Sequence, residues 1–124
     1  MIERRLRPYV TELYEWAFRR FAQQCRQRGV RPLVIYRPAP VDLEGLEPAT
    51  RGEIIRLARA AGLEVIDLSG AFDSVADRSG LVLTRWDDHT TTLGHRLLAD
   101  KLYEGLVPLL FGSRGESEDQ LSHR

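Results

Sequence analysis

The chain has 124 residues, 43% hydrophobic and 29% charged, and its 18 basic and 18 acidic side chains leave no net charge. That suits one small globular domain and lacks the basic excess that nucleic acid or an anionic membrane surface selects. The single cysteine, Cys25, excludes an internal disulfide and a zinc-binding Cys cluster, and no apolar run approaches membrane-spanning length.

In chain order, Met1-Ile2-Glu3-Arg4-Arg5-Leu6-Arg7 lacks the apolar core of a signal peptide. As it stands the chain reads as cytoplasmic, and a signal peptide encoded upstream leaves the compartment open. Val10, Leu13, Tyr14, Ala17, Phe21 and Cys25 recur at helical spacing. They predict a long helix with Pro8 in its first turn and Arg26, Arg28 and Gly29 at its stop. Trp16 and Phe18 widen the apolar face beyond what one contact covers. Cys25 reads as a small apolar filler on that helix.

Pro32-Leu33-Val34-Ile35-Tyr36 is a short continuous apolar run, the pattern of a parallel strand buried on both faces. Arg37-Pro38-Ala39-Pro40 ends it and opens a loop to about Glu47. Thr50 and Glu53 have capping-box spacing, so a second helix is expected on Ile54, Ile55, Leu57, Ala58 and Ala61, closed by Gly62. Leu63–Leu68 is a second strand. Between Ser69 and Arg85 the pattern predicts one short helical turn around Ala71–Val75 and a loop through Asp77–Gly80. The last helix starts near Thr91 or Thr92, uses Leu93, Leu97, Leu98, Leu102 and Leu106, and is limited by Pro108. From Gly112 the chain is polar, and residues 112–124 read as a disordered tail.

Helix, strand, helix, strand, helix predicts an α/β domain over residues 1–111 with a parallel sheet. Only two strands are legible, while buried parallel strands belong to larger sheets. The sheet therefore reads as missing its N-terminal strands, or as receiving them from another chain.

Trp86-Asp87-Asp88-His89-Thr90-Thr91-Thr92-Leu93-Gly94-His95 is the segment with chemistry in it. Carboxylates just before a histidine, at the start of a helix, can supply the acid and base of a hydrolytic triad, in which a carboxylate fixes the imidazole tautomer and stabilises its cation. A residue two or three positions before the histidine can fold back to do this, so Asp87 is preferred and Asp88 is the fallback. Plain helix capping is the other role open to both. His95 is a pocket residue or an exposed helix histidine. Ser69, after the second strand, lacks the Gly-x-Ser-x-Gly elbow of a nucleophile and reads as a turn serine. Asp87, His89 and His95 supply only three metal ligands at no known spacing. Arg37 could meet an anion but reads as a surface partner for an acid. Tyr14, Trp16 and Phe21 read as core or as a dimer surface.

The run Asp87-Asp88-His89 through Gly94 and Ala99 resembles the last conserved block of the SGNH/GDSL hydrolases. The helix ending Arg28-Gly29-Val30, the strand Leu33–Tyr36 followed by prolines, and Val65-Ile66-Asp67-Leu68 followed by Phe72 resemble the elements before that block. The resemblance reaches to about Leu110. It implies a partial flavodoxin-like, SGNH-type three-layer sandwich and serine-esterase or lipase-like acyl chemistry without metal or cofactor. It further implies His89 as base and Asp87 as orienter. This sequence has Trp86 where the family's commonest spacing places Asp, and Thr at both positions after His89. It contains no Gly-Asp-Ser nucleophile block, oxyanion glycine block or Gly-x-Asn block.

The resemblance thus implies the C-terminal part of an ester hydrolase, inactive alone. Its partners would be a small-molecule or carbohydrate ester and a complementing N-terminal half, or a second copy, at the open sheet edge. No nucleic acid and no membrane segment are expected. An O-acyltransferase fragment, which shares the triad, and a non-catalytic interaction module are the alternatives.

Overall fold

A computed structural model describes residues 2–41, 47–84 and 87–112, with backbone alone for 2–8, 47–48 and 87–88. Residues 113–124, expected as a polar tail, and Trp86 lie outside the described residues. The protein is mixed α/β. Its elements are α1 (Ile2–Gln27), β1 (Leu33–Tyr36), α2 (Glu47–Ala60), β2 (Glu64–Asp67), a 3-10 turn (Arg78–Leu81), β3 (Val82–Thr84), β4 (Asp87–Thr90) and α3 (Thr92–Phe111). β1 and β2 pair in parallel, and β3 and β4 form a separate antiparallel pair. The chain divides into two compact units, Met1–Tyr36 with Asp42–Val65, and Arg37–Val41 with Ile66–Arg124.

In the first unit α1 packs on α2, and α2 on β1. Ala22, Ala58 and Leu63 form its buried centre, with Phe18, Val34, Ala61 and Val65 against it. Both helices end in the same way. Gly29 (φ 65°) and Gly62 (φ 78°) adopt the left-handed conformation that only glycine enters cheaply. Behind each, the chain turns back. Val30 N–H donates to the Cys25 carbonyl (2.9 Å) and Gly29 N–H to Arg26 (3.2 Å). Leu63 N–H donates to Ala58 (3.1 Å) and Gly62 N–H to Arg59 (2.9 Å). This paired 6→1 and 5→2 pattern is the Schellman motif, and it aims the chain from each helix into the following strand. Arg31, just before β1, grips Glu64 at the start of β2 with Nε and Nη2, both at 2.7 Å. Cys25 is buried and free, as an apolar filler would be.

Four local expectations are corrected here. Pro8 is not in the first turn, because α1 begins six residues earlier at Ile2. Ile2 and Leu6 continue the helical spacing, and a cooperative helix survives one missing N–H. Thr50 and Glu53 do not form a capping box, because α2 starts at Glu47. Glu53 instead takes Arg56 through two bonds of 2.9 and 3.0 Å. β1 is not covered on both faces: Val34 packs on the buried centre, while Ile35 on the opposite face is 44% exposed. Pro108 does not limit α3, which runs to Phe111 with Pro108 inside.

In the second unit, Ile66, Leu68, Ala71, Phe72, Leu81 and Leu98 are buried. Gly105 lets α3 approach β2, since a Cβ there would stand 2.7 Å from Ile66 Cγ2. The turn expected around Ala71–Val75 is present as i→i−3 bonds from Ala71, Asp73 and Val75 N–H to Leu68, Gly70 and Phe72. The loop expected at Asp77–Gly80 instead closes into the 3-10 turn. Asp77 Oδ1 accepts Ser79 N–H at its start (2.9 Å).

Candidate functional site

The Asp-Asp-His segment sits in β4, not on a loop. Sequence patterning misses this strand because Asp is depleted in strands and the run carries no apolar alternation. The pairing register is Val82 with Thr90 and Thr84 with Asp87. β4 advances three residues while β3 advances two, so β4 carries one extra residue, a β-bulge between Asp87 and Thr90. Bulges redirect side chains and end strict alternation. Two-residue spacing therefore does not by itself choose between Asp87 and Asp88 as the neighbour of His89. The side chains of both aspartates lie outside the described residues.

His89 is exposed, and the next residue, Thr90, is 7% exposed. That contrast is the main geometric fact about the site. Thr90 is held at both ends of its side chain. Its Oγ1 accepts a hydrogen bond from Arg37 Nη1 (3.1 Å). Its Cγ2 lies directly over Gly94, where a Cβ would fall inside the methyl's van der Waals envelope. Gly94 is thus explained by close approach.

Thr91 fixes the junction with α3. As its N-cap, Thr91 accepts Gly94 N–H on Oγ1 (3.4 Å) and donates that hydroxyl to the Gly80 carbonyl (2.9 Å). Its N–H donates to Leu81 (2.9 Å), and its carbonyl accepts His95 N–H (2.9 Å). The short stretch from Thr90 to Gly94 is therefore tied to the 3-10 turn, to α3 and to Arg37. His89 sits at the edge of a rigid frame, beside the positive end of a helix of 20 residues.

Arg37 Nη1 donates to the buried Thr90 hydroxyl, a contact not expected from the sequence. No sequence signal pairs positions 37 and 90. Only the four-residue interval between Thr90 and Gly94, across a strand-to-helix junction, hints at a close contact. Ser69 lies in the turn after β2, its N–H held by Asp67 Oδ1 (2.9 Å), the arrangement of a strand-end turn. His95 is exposed on the first turns of α3.

The carboxylates held below their ordinary range have other tasks. Glu64 is lowered by hydrogen bonds from Arg31, Glu53 by those from Arg56, and Asp77 by Ser79. All three are structural acids of turns and ion pairs. Among the described residues, no three His, Cys, Asp or Glu side chains cluster to hold a metal ion, and no helix is long and apolar enough to cross a membrane.

Comparison with protein-family models, with curated proteins and with solved structures finds no match.

Proposed function

We propose that this chain is the acid–base segment of an SGNH/GDSL-type ester hydrolase with a partial flavodoxin-like sheet. His89 would be the general base and Asp87 its orienter, with Asp88 the alternative. The observation that carries the reading is an exposed histidine fixed beside a buried threonine at a strand-to-helix junction, with carboxylates one and two residues before it. Triad chemistry needs such a site. The base must reach solvent or substrate, yet its backbone must not move, because a small misplacement of a catalytic group costs orders of magnitude in rate. The N-terminus of α3 and the Arg37 guanidinium on Thr90 add positive potential next to the His89 segment.

In this reading a segment outside these residues carries the serine. Its hydroxyl loses its proton to His89 as it attacks the ester carbonyl, and His89 returns the proton to the departing alkoxide. Water then repeats the sequence to release the acid. A sugar hydroxyl in place of water would make the same site an O-acyltransferase. The two-stranded parallel sheet supports the idea of a complementing segment, because each strand has one edge unpaired among the described residues. The same edges favour the second reading, a non-catalytic module that takes up a strand from another chain.

The test begins with the coding DNA read in frame upstream of Met1. A frame with a Gly-Asp-Ser block is expressed and assayed with p-nitrophenyl acetate, as wild type and as His89→Ala, Asp87→Asn and Asp88→Asn. The reading requires ester hydrolysis that falls by several orders of magnitude in His89→Ala and in one of the two aspartate variants. Hydrolysis that survives His89→Ala, or an upstream frame without a nucleophile block, removes the catalytic assignment and leaves the interaction module.

A further inference from the structure

Arg37 reaches the junction before α3 from 53 positions away and gives one hydrogen bond to Thr90 Oγ1. That bond does not explain why residue 37 is an arginine, because a neutral donor satisfies a hydroxyl as well. A guanidinium brings a full charge and five N–H donors in a planar fork, and Thr90 takes a donor from Nη1 alone. Arg37 is exposed while Thr90 is buried. One nitrogen is therefore anchored at a buried hydroxyl, and the side chain keeps an edge open to solvent.

Place and restraint suit that edge to a ligand. Arg37 directly follows β1, which lies parallel to β2, and ligands of open parallel sheets gather beyond the carboxyl ends of the strands. Arg37, His89 and Thr90 all belong to the second unit. Arg37 also precedes a buried proline, Pro38, which narrows the backbone freedom of residue 37 itself. An arginine restrained at its backbone and at one nitrogen gives up less freedom on binding than a loose surface arginine does.

We propose that Arg37 is a specificity-determining residue of the His89 site, and that the ester this site takes carries a carboxylate. The ester part rests on the hydrolase reading; the carboxylate contact stands without it. A carboxylate fits the open fork in shape, accepting parallel N–H bonds, and balances its single charge. The guanidinium is fixed to the residue directly after His89 in β4. Neighbouring strand residues advance by about 3.3 Å, a step that the short chain of a succinate half-ester covers. Its carboxylate then rests on Arg37 while its ester carbonyl lies at the His89 segment.

Titration of the isotope-labelled full chain with monomethyl succinate tests the contact, read by NMR at the Arg37 side-chain Nε–H and the Thr90 amide. Methyl butyrate, a neutral ester of similar length, and sodium chloride at matched ionic strength are the controls. Saturable shifts with a Kd on the order of 10 mM are expected from monomethyl succinate and from neither control. Arg37→Met, read at the Thr90 amide, weakens the binding about tenfold or more. Arg37→Lys keeps the charge without the fork and weakens it several-fold, which guards against a folding loss in the methionine variant. Because the readout is binding, the result is separate from whether ester hydrolysis depends on His89. Shifts that sodium chloride or methyl butyrate reproduces overturn the proposal, as does a titration that Arg37→Met leaves unchanged. Tighter binding of inorganic phosphate than of monomethyl succinate overturns the carboxylate assignment.

Discussion

Gly94→Ala tests the frame around His89 most directly. The new methyl would overlap Thr90 Cγ2 and stand 3.4 Å from the Leu81 carbonyl oxygen. Thr90 cannot yield freely, because it is buried and its hydroxyl is held by Arg37. Overpacking of this kind costs about 1–3 kcal/mol. Replacing a helical glycine by alanine returns up to about 1 kcal/mol in an interior turn and less in a first turn. The expected net loss is about 1–2 kcal/mol. Gly52→Ala supplies the control. Gly52 lies in α2, a methyl added there would meet nothing within 4 Å, and the substitution should stabilise by up to about 1 kcal/mol. Urea unfolding followed by circular dichroism measures both. Thr90→Ser then identifies the atom responsible. It removes Cγ2 but keeps the hydroxyl that Arg37 holds, so the methyl has in effect moved from residue 90 to residue 94. The double variant should recover most of the loss, with a coupling energy of at least about 1 kcal/mol. If Gly94→Ala behaves like Gly52→Ala, or if Thr90→Ser gives no rescue, Thr90 is not wedged between Arg37 and Gly94, and the rigid frame is wrong.

Other substitutions probe separate parts of the structure. Arg37→Met keeps the stem and removes the donor to Thr90. A loss of about 1 kcal/mol is expected, read as hydrogen exchange several-fold faster at the Thr91 and Gly94 amides than in wild type. Unchanged exchange there would mean the Arg37 contact holds nothing. Gly105→Ala meets Ile66 Cγ2 at 2.7 Å and should destabilise by about 1 kcal/mol after the helix-propensity gain; a neutral result would place α3 farther from β2. Glu64→Gln removes the Arg31 pair. The Glu64 carboxyl is held below its ordinary value by hydrogen bonds and charge from Arg31. Its contribution is therefore present above the unfolded-state value near 4.5 and disappears as pH falls through the lower folded value. Wild type and variant should differ at pH 7 and converge in acid, by a small amount because both groups are exposed. A difference that grows on acidification contradicts the assigned sign.

Much of the fold is legible in the sequence where one element dictates its own ending. Gly29 and Gly62 mark both helix stops, and the apolar runs mark β1 and β2, because each signal is local. The start of α3 near Thr91 or Thr92 is legible, but its cap is Thr91 and not Asp87 or Asp88, which lie in β4 and leave the capping role to the residue next to the helix. The helix starts are harder. Pro8 and Thr50 carry strong start signals, yet the helices begin at Ile2 and Glu47: in α1 the apolar spacing of Ile2 and Leu6 continues upstream, and in α2 Pro48 is a proline suited to a first turn. The β3–β4 hairpin is not legible at all. Its second strand reads Asp-Asp-His-Thr, which only pairing with Val82–Thr84 makes extended. At the candidate site, His89 and its two aspartates stand out by spacing, while the residues that hold them do not. The Arg37–Thr90 bond spans 53 positions, and no periodicity reports a contact of that kind.

That long-range bond says how the motif unit is assembled. Arg37 directly follows β1, but the segment Arg37–Val41 belongs with the second unit. Pro38 and Pro40 are buried there, and Pro40 is among the most fully buried side chains in the chain. Two prolines with fixed φ directly after Arg37 stiffen the segment that carries it. The turn Arg78–Leu81 approaches the same junction through Thr91, and Gly94 closes it from the helix. Arg37, 53 positions away, and the nearby Gly80–Leu81 and Gly94 thus converge on Thr90 and Thr91, immediately after His89. A buried hydroxyl held by an arginine, a glycine kept small for one methyl and a doubly bonded helix cap are more restraint than an exposed surface strand requires. A reactive histidine next to them would use all of it.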